Sequence, residues 1–83
     1  MRFRKKPVVI EAMQWNGNNW EELKTWSNCG LMYEYPAREK KISIKTLEGR
    51  MIASSGDWVI KGVKGEFYPV KNDIFLETYE KVE

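Results

Sequence analysis

Histidine is absent from the 83 residues of this chain, and cysteine occurs once, at Cys29. Without imidazole, neither a Ser-His-Asp nor a Cys-His arrangement can be assembled, and a zinc site with histidine ligands is excluded too. One thiol cannot close an intramolecular disulfide, so no cystine staple is available; an unpaired cysteine suits a reducing compartment. No apolar run approaches the roughly 20 residues that cross a bilayer, and nothing after Met1 reads as a signal peptide, so no membrane contact is expected. Charge of one sign is also scarce. The 14 Lys and Arg against 12 Asp and Glu leave a formal net charge of +2, short of the basic excess on one face that marks a nucleic-acid binder.

What the chain has in quantity is aromatic side chains: four Trp, four Tyr and three Phe. At this length residues 1–83 form one domain, near the size at which a single core only just outweighs conformational entropy. Dense aromatic packing, or burial against a second copy of the chain, would supply what metal and disulfide cannot. A homo-oligomer is therefore expected.

Periodicity along the chain predicts an α+β fold: an antiparallel sheet of about five strands, one helix after the first strand and one at the C-terminus. Phe3 to Trp15 is extended, with apolar groups on both faces. Asn16-Gly17-Asn18 breaks it, and Asn18 with Glu21 resembles a capping box opening a helix from Asn19 to Asn28 that ends at Gly30 as a left-handed cap. Trp20, Leu23 and Trp26 would line its buried face. Leu31 to Tyr35 is a short strand stopped by Pro36, and Ala37 to Lys40 a charged connection. Lys41 to Thr46 alternates, turning Ile42 and Ile44 inward. Glu48-Gly49 is a hairpin turn, Met51 to Ala53 returns, and Ser54 to Asp57 turns into Trp58-Val59-Ile60-Lys61, continuing the meander. Gly62 and Gly65 bracket a loop into Glu66-Phe67-Tyr68, and Pro69, which has no N–H, places that strand at an edge or at its end. Asn72 caps a last helix from Asp73 to about Lys81, with Ile74, Phe75, Thr78 and Tyr79 on its inner face.

The glycine-punctuated run from Ser55 to Phe75, the basic opening Arg4-Lys5-Lys6-Pro7-Val8-Val9-Ile10-Glu11-Ala12 and the close Asp73-Ile74-Phe75…Thr78-Tyr79-Glu80 resemble the small phage and prophage proteins with a PGDYG-type motif, a family without a characterised biochemical role. Against that motif this chain has Ser55 for the proline, Trp58 for the tyrosine and Val59 for the last glycine, while Gly56 and Asp57 stand. The resemblance is weakest over residues 16–40. It implies a phage protein acting in the cytoplasm of the host bacterial cell.

Of the groups that carry chemistry, carboxylates remain. Glu11, Asp57 and Glu66 fall on or beside strands and form an acid/base pair only if they converge; for Glu11 the first reading is an ion pair with a lysine or arginine across the sheet. Gly62-Val63-Lys64-Gly65 has the spacing of loops that clamp a nucleic-acid backbone, but those join helices and this one joins strands, so hairpin-turn chemistry comes first. Trp20, Trp26, Phe67, Phe75 and Tyr79 are assigned to the core; Trp15, Tyr33, Tyr35, Trp58 and Tyr68 stay open between core, subunit contact and base stacking. The expectation is a non-catalytic binding protein without metal or cofactor. As an oligomer it would sequester a small anionic nucleotide-type ligand, a counter-defence role, with Arg4, Lys61 and Lys64 as anion partners, Trp58 and Tyr68 as stacking surfaces and Glu66 as acceptor for a sugar hydroxyl. Two alternatives stand beside it. One is a nucleic-acid-binding accessory protein, favoured by Arg2, Arg4, Lys5, Lys6 and by Arg38, Lys40, Lys41 and Lys45, and opposed by the modest net charge. The other is a module that inhibits a host enzyme through an exposed edge strand.

Overall fold

A computed structural model describes residues 1–2 and 9–80. The order of elements is β1 (Glu11–Gln14), α1 (Trp20–Trp26), β2 (Leu31–Tyr33), a 3-10 turn (Ala37–Glu39), β3 (Lys41–Thr46), β4 (Gly49–Ser54), β5 (Trp58–Lys61), β6 (Phe67–Val70) and α2 (Asn72–Thr78). The class is α+β, as expected, but among the described residues six strands form two antiparallel three-stranded sheets instead of one of about five: β1-β5-β6 and β2-β3-β4. Of the long strand expected from Phe3 to Trp15, the part before Val9 lies outside the described residues.

The sheets separate at the turn between β4 and β5. Val59 and Ile60 are consecutive, point to opposite faces of their strand, and are both fully buried. That requires β5 to be a central strand covered on both sides, and it lies between β1 and β6, with Met13 opposite Val59 and Ala12 opposite Ile60. The turn is stitched to the first strand by backbone bonds: the Trp15 N–H donates to the Asp57 carbonyl at 2.9 Å, and Gly56 donates to the Trp15 carbonyl at 2.6 Å. Gly56 adopts φ +101°, a value that side-chain-bearing residues rarely hold. These bonds carry β5 to β1 and away from β4.

The core lies between the sheets and α1. Trp15, Leu23, Leu31, Ile42, Ile44, Ala53 and Val59 are buried there, with Met13, Trp20, Trp26, Tyr33 and Phe67 packed around them. Trp15 is thereby settled as core. Its indole N–H donates to the Lys40 carbonyl at 2.8 Å, and Tyr33 meets the ring edge-on at 5.8 Å. Ile42 and Ile44 face inward as the alternation requires. Pro69 sits in β6, which among the described residues pairs with β5 alone and so is an edge strand, one of the two places its missing donor allows.

All three expected caps differ. Asn18 does not cap α1; Asn19 occupies that position and makes no side-chain bond to the helix. Its amide instead holds the preceding turn, donating to the Gln14 carbonyl at 2.8 Å and accepting from the Asn16 N–H at 3.0 Å. At the other end the left-handed residues are Asn28 (φ 53°) and Cys29 (φ 64°), not Gly30. Gly30 stands where space is tight: a Cβ there would lie 3.0 Å from the Ser27 carbonyl and 3.3 Å from the Phe67 ring. Asn72 is likewise no cap. Lys71 takes that position, while the Asn72 side chain accepts the Trp58 indole N–H at 2.8 Å. Ile74, expected on the inner face of α2, is 53% exposed, because α2 is anchored through Phe75 and Tyr79.

Candidate binding site

Strand alternation decides where the expected site residues go. Trp58 and Ile60 share one face of their sheet with Tyr68 and Val70, whereas Lys61 shares the opposite face with Val59 and Phe67. Lys61 is therefore turned away from the two rings it was expected to accompany. Trp58 is engaged within the chain, stacked on Phe75 at 4.0 Å and 6°, and Phe75 in turn packs on Tyr79 at 5.2 Å. This aromatic column fastens α2 to the face of β5 that also carries Ile60. Arg4 lies outside the described residues.

Lys64 and Glu66 are exposed in the loop between β5 and β6. The Gly62 N–H donates to the Glu66 carbonyl at 2.7 Å and the Gly65 N–H to the Gly62 carbonyl at 3.0 Å. The Glu66 carboxylate accepts the Lys64 N–H at 3.2 Å and covers Gly62, where any added Cβ would run into it. The loop is closed by its own bonds, and the Glu66 carboxylate takes up the Lys64 N–H that an anion would need. Asp57 and Glu66 lie at opposite ends of β5 and do not converge. Glu11 stands opposite Lys61 in the ladder, but the ion pairs among the described residues are Lys41–Glu39 and Lys71–Asp57. Glu11 is exposed, so it carries no burial cost that would demand a partner.

Burial pushes the Tyr68 phenol up to about 12, helped by hydrogen bonding with Tyr79 and by the charges of Tyr79 and Glu66. The folded chain then holds this proton more tightly than the unfolded chain does. The associated stability is complete below the ordinary value of 10.0 and is lost as pH rises through about 12. An ultraviolet titration is expected to show one late-ionising tyrosine that disappears in Tyr68→Phe. If that substitution removes no late phase, Tyr68 is not packed as described.

A different group of residues forms a concavity. Between the edge strands β4 and β6 lies an open groove of about 360 Å³, lined by Met51, Ile52, Asp57, Pro69, Val70, Lys71 and Ile74. The lining is apolar except for Asp57 and Lys71. Asp57 is nearly buried and holds the closed end of the turn: its Oδ2 accepts the Ser54 N–H at 2.9 Å and the Lys71 ammonium at 3.1 Å. Met51 and Ile52 remain 41% and 42% exposed. Backbone bonds connect β4 to β3 and β6 to β5, and among the described residues none joins β4 to β6. The groove escaped sequence reasoning because its lining comes from three elements. The one local sign was Met51-Ile52, two consecutive apolar residues in a strand that has a free edge.

Among the described residues no helix is long and apolar enough to cross a membrane, and no group of three or more Cys, Asp and Glu could hold a metal ion. No protein-family model, curated protein or solved structure matches this chain.

Proposed function

We propose that this chain is a non-catalytic binding module that takes an extended segment of a partner protein along the free edge of β4, with the neighbouring groove receiving the segment's side chains. The groove between β4 and β6 is the observation that carries this reading. An edge strand presents unpaired N–H and C=O groups, a template for one more strand. Along β4 the residues Gly49 to Ile52 are exposed and only Ala53 is buried, which leaves the unpaired edge of the strand accessible beside Met51, Ile52 and Ile74. Contiguous exposed apolar surface of this kind marks an interaction site more often than chance. On the facing strand Pro69 has no N–H to offer, so β6 does not compete for the incoming chain.

The resemblance to phage proteins gives this reading a setting, in which the module occupies a host protein and acts against defence by obstruction. Sequestering a nucleotide-type ligand through Lys61, Lys64, Glu66, Trp58 and Tyr68 has less support, since Trp58 is stacked on Phe75 of α2, Lys61 faces away from both rings and Glu66 closes its own loop. The test is selection from a displayed library of short extended peptides. Wild type is expected to enrich sequences with alternating apolar residues, and Ile52→Lys, a change on an exposed side chain, to reduce their capture about tenfold or more. Equal capture by both proteins would overturn the assignment.

A further inference from the structure

We infer that the segment accepted by β4 carries an acidic residue opposite Arg50 and apolar residues opposite Met51 and Ile52. This rests on the edge-strand reading above and adds the chemistry of the partner. In the β3–β4 ladder Lys45 stands directly opposite Arg50, and both are exposed. Like charges directly opposed across an antiparallel pair are destabilising, and neither has an ion-pair partner among the described residues, where the ion pairs are Lys41–Glu39 and Lys71–Asp57. Lys41, on the same face of the same strand, shows the contrast: Glu39 meets it at 3.6 Å.

The outer face of this sheet continues the pattern. Met32, Ser43 and Ile52 form one row across the three strands. Ser43 is a small floor only 3% exposed, while Met32 and Ile52 rise beside it at 62% and 42%. An added strand alternates its side chains in step with β4. A residue opposite Arg50 falls on this outer face, where a carboxylate would meet the guanidinium and relieve its repulsion with Lys45. Two positions along, a residue opposite Ile52 meets an apolar neighbour on the same face. Between them, the residue opposite Met51 projects to the other face, toward the groove. The outer face formed by Met32, Lys41, Ser43, Lys45, Arg50 and Ile52 bears no aromatic ring on which a base would stack, so the uncompensated cations suit an acidic peptide better than a single-stranded nucleic acid.

The experiment repeats the peptide selection with wild type and Arg50→Glu, and adds oligodeoxythymidylate as a competitor. Wild type is expected to enrich Asp or Glu at one register position about fivefold over the library, next to two apolar positions, and Arg50→Glu to exchange that preference for Lys or Arg with the apolar positions unchanged. Apolar enrichment with a charge position indifferent to Arg50→Glu would overturn this inference and leave the edge-strand reading intact. No enrichment in either protein would end both. Oligodeoxythymidylate that binds alone, displaces the peptide and is lost with Arg50→Glu would identify a nucleic-acid surface and overturn the acidic-peptide assignment.

Discussion

Trp15→Ala is expected to cost about 3 to 5 kcal/mol, the range for emptying a large buried aromatic site. A chain of this size has a total stability of only about 4 to 12 kcal/mol, so the variant should lose a large fraction of it and melt well below the parent protein. The size of the effect comes from three roles in one residue. The ring is fully buried at the centre of the core; its indole N–H satisfies the Lys40 carbonyl; and its backbone is bonded on both sides to the turn that delivers β5. Trp15→Phe separates these roles, because it keeps most of the packing and the backbone bonds and loses the indole donor. That variant should fold, with a loss of about 1 to 2 kcal/mol. Chemical denaturation of both provides the measurement. A loss below about 1 kcal/mol in Trp15→Ala, against the usual range for such truncations, would mean that the core does not centre on this ring.

The second large effect is expected at Asp57. Its carboxylate is the acceptor for the Ser54 N–H and the partner of Lys71, and its side chain is 9% exposed, against 63% for that of Lys71. Asp57→Ala leaves a backbone donor without its partner at the joint between the sheets and should cost about 2 to 3 kcal/mol. Lys71→Ala removes only an exposed cation and should cost no more than about 1 kcal/mol. The asymmetry is the point, since a simple surface ion pair would give two small, similar values. Asp57→Asn, which keeps an acceptor and loses the charge, should fall between them. Because Trp15 and Asp57 secure the same turn, the double variant Trp15→Phe with Asp57→Asn should depart from additivity by more than about 0.5 kcal/mol.

Local alternation made part of this architecture legible. Lys41 to Thr46 reads as a half-buried strand because Ile42 and Ile44 alternate with the polar residues Lys41, Ser43 and Lys45, and it folds as one with the expected ends. Trp58 to Lys61 was readable as well, and the missing donor of Pro69 narrowed its strand to an edge or Pro69 to a strand end, of which the structure has the edge. The division into two sheets was not readable, because it depends on β1 and β5 meeting across more than forty intervening residues. Nothing local distinguishes a fifth strand that continues a meander from one that leaves it. The caps failed because Asn18, Asn19 and Asn72 all have capping chemistry and other partners won: the Asn19 amide holds the turn just before the helix, and the Asn72 amide is drawn across to the Trp58 indole. In the site, residues close in sequence were grouped by type, yet one step of pleat sends Lys61 away from Trp58 and Tyr68. The groove residues have affinities that show only once three elements are assembled.

The pairing of β1 with β5 also orders events in time. Glu11 cannot meet Lys61, nor Gln14 meet Trp58, until the fifth strand has been synthesised, whereas β2, β3 and β4 are neighbours in sequence and can pair as they emerge. During translation the β2-β3-β4 sheet is therefore the unit able to form first, and the opening strand waits unpaired for a distant mate, the kind of non-local closure that slows folding. Through that interval the free edge of β4 stands open on a half-built protein, with neither β6 nor α2 yet in place beside it.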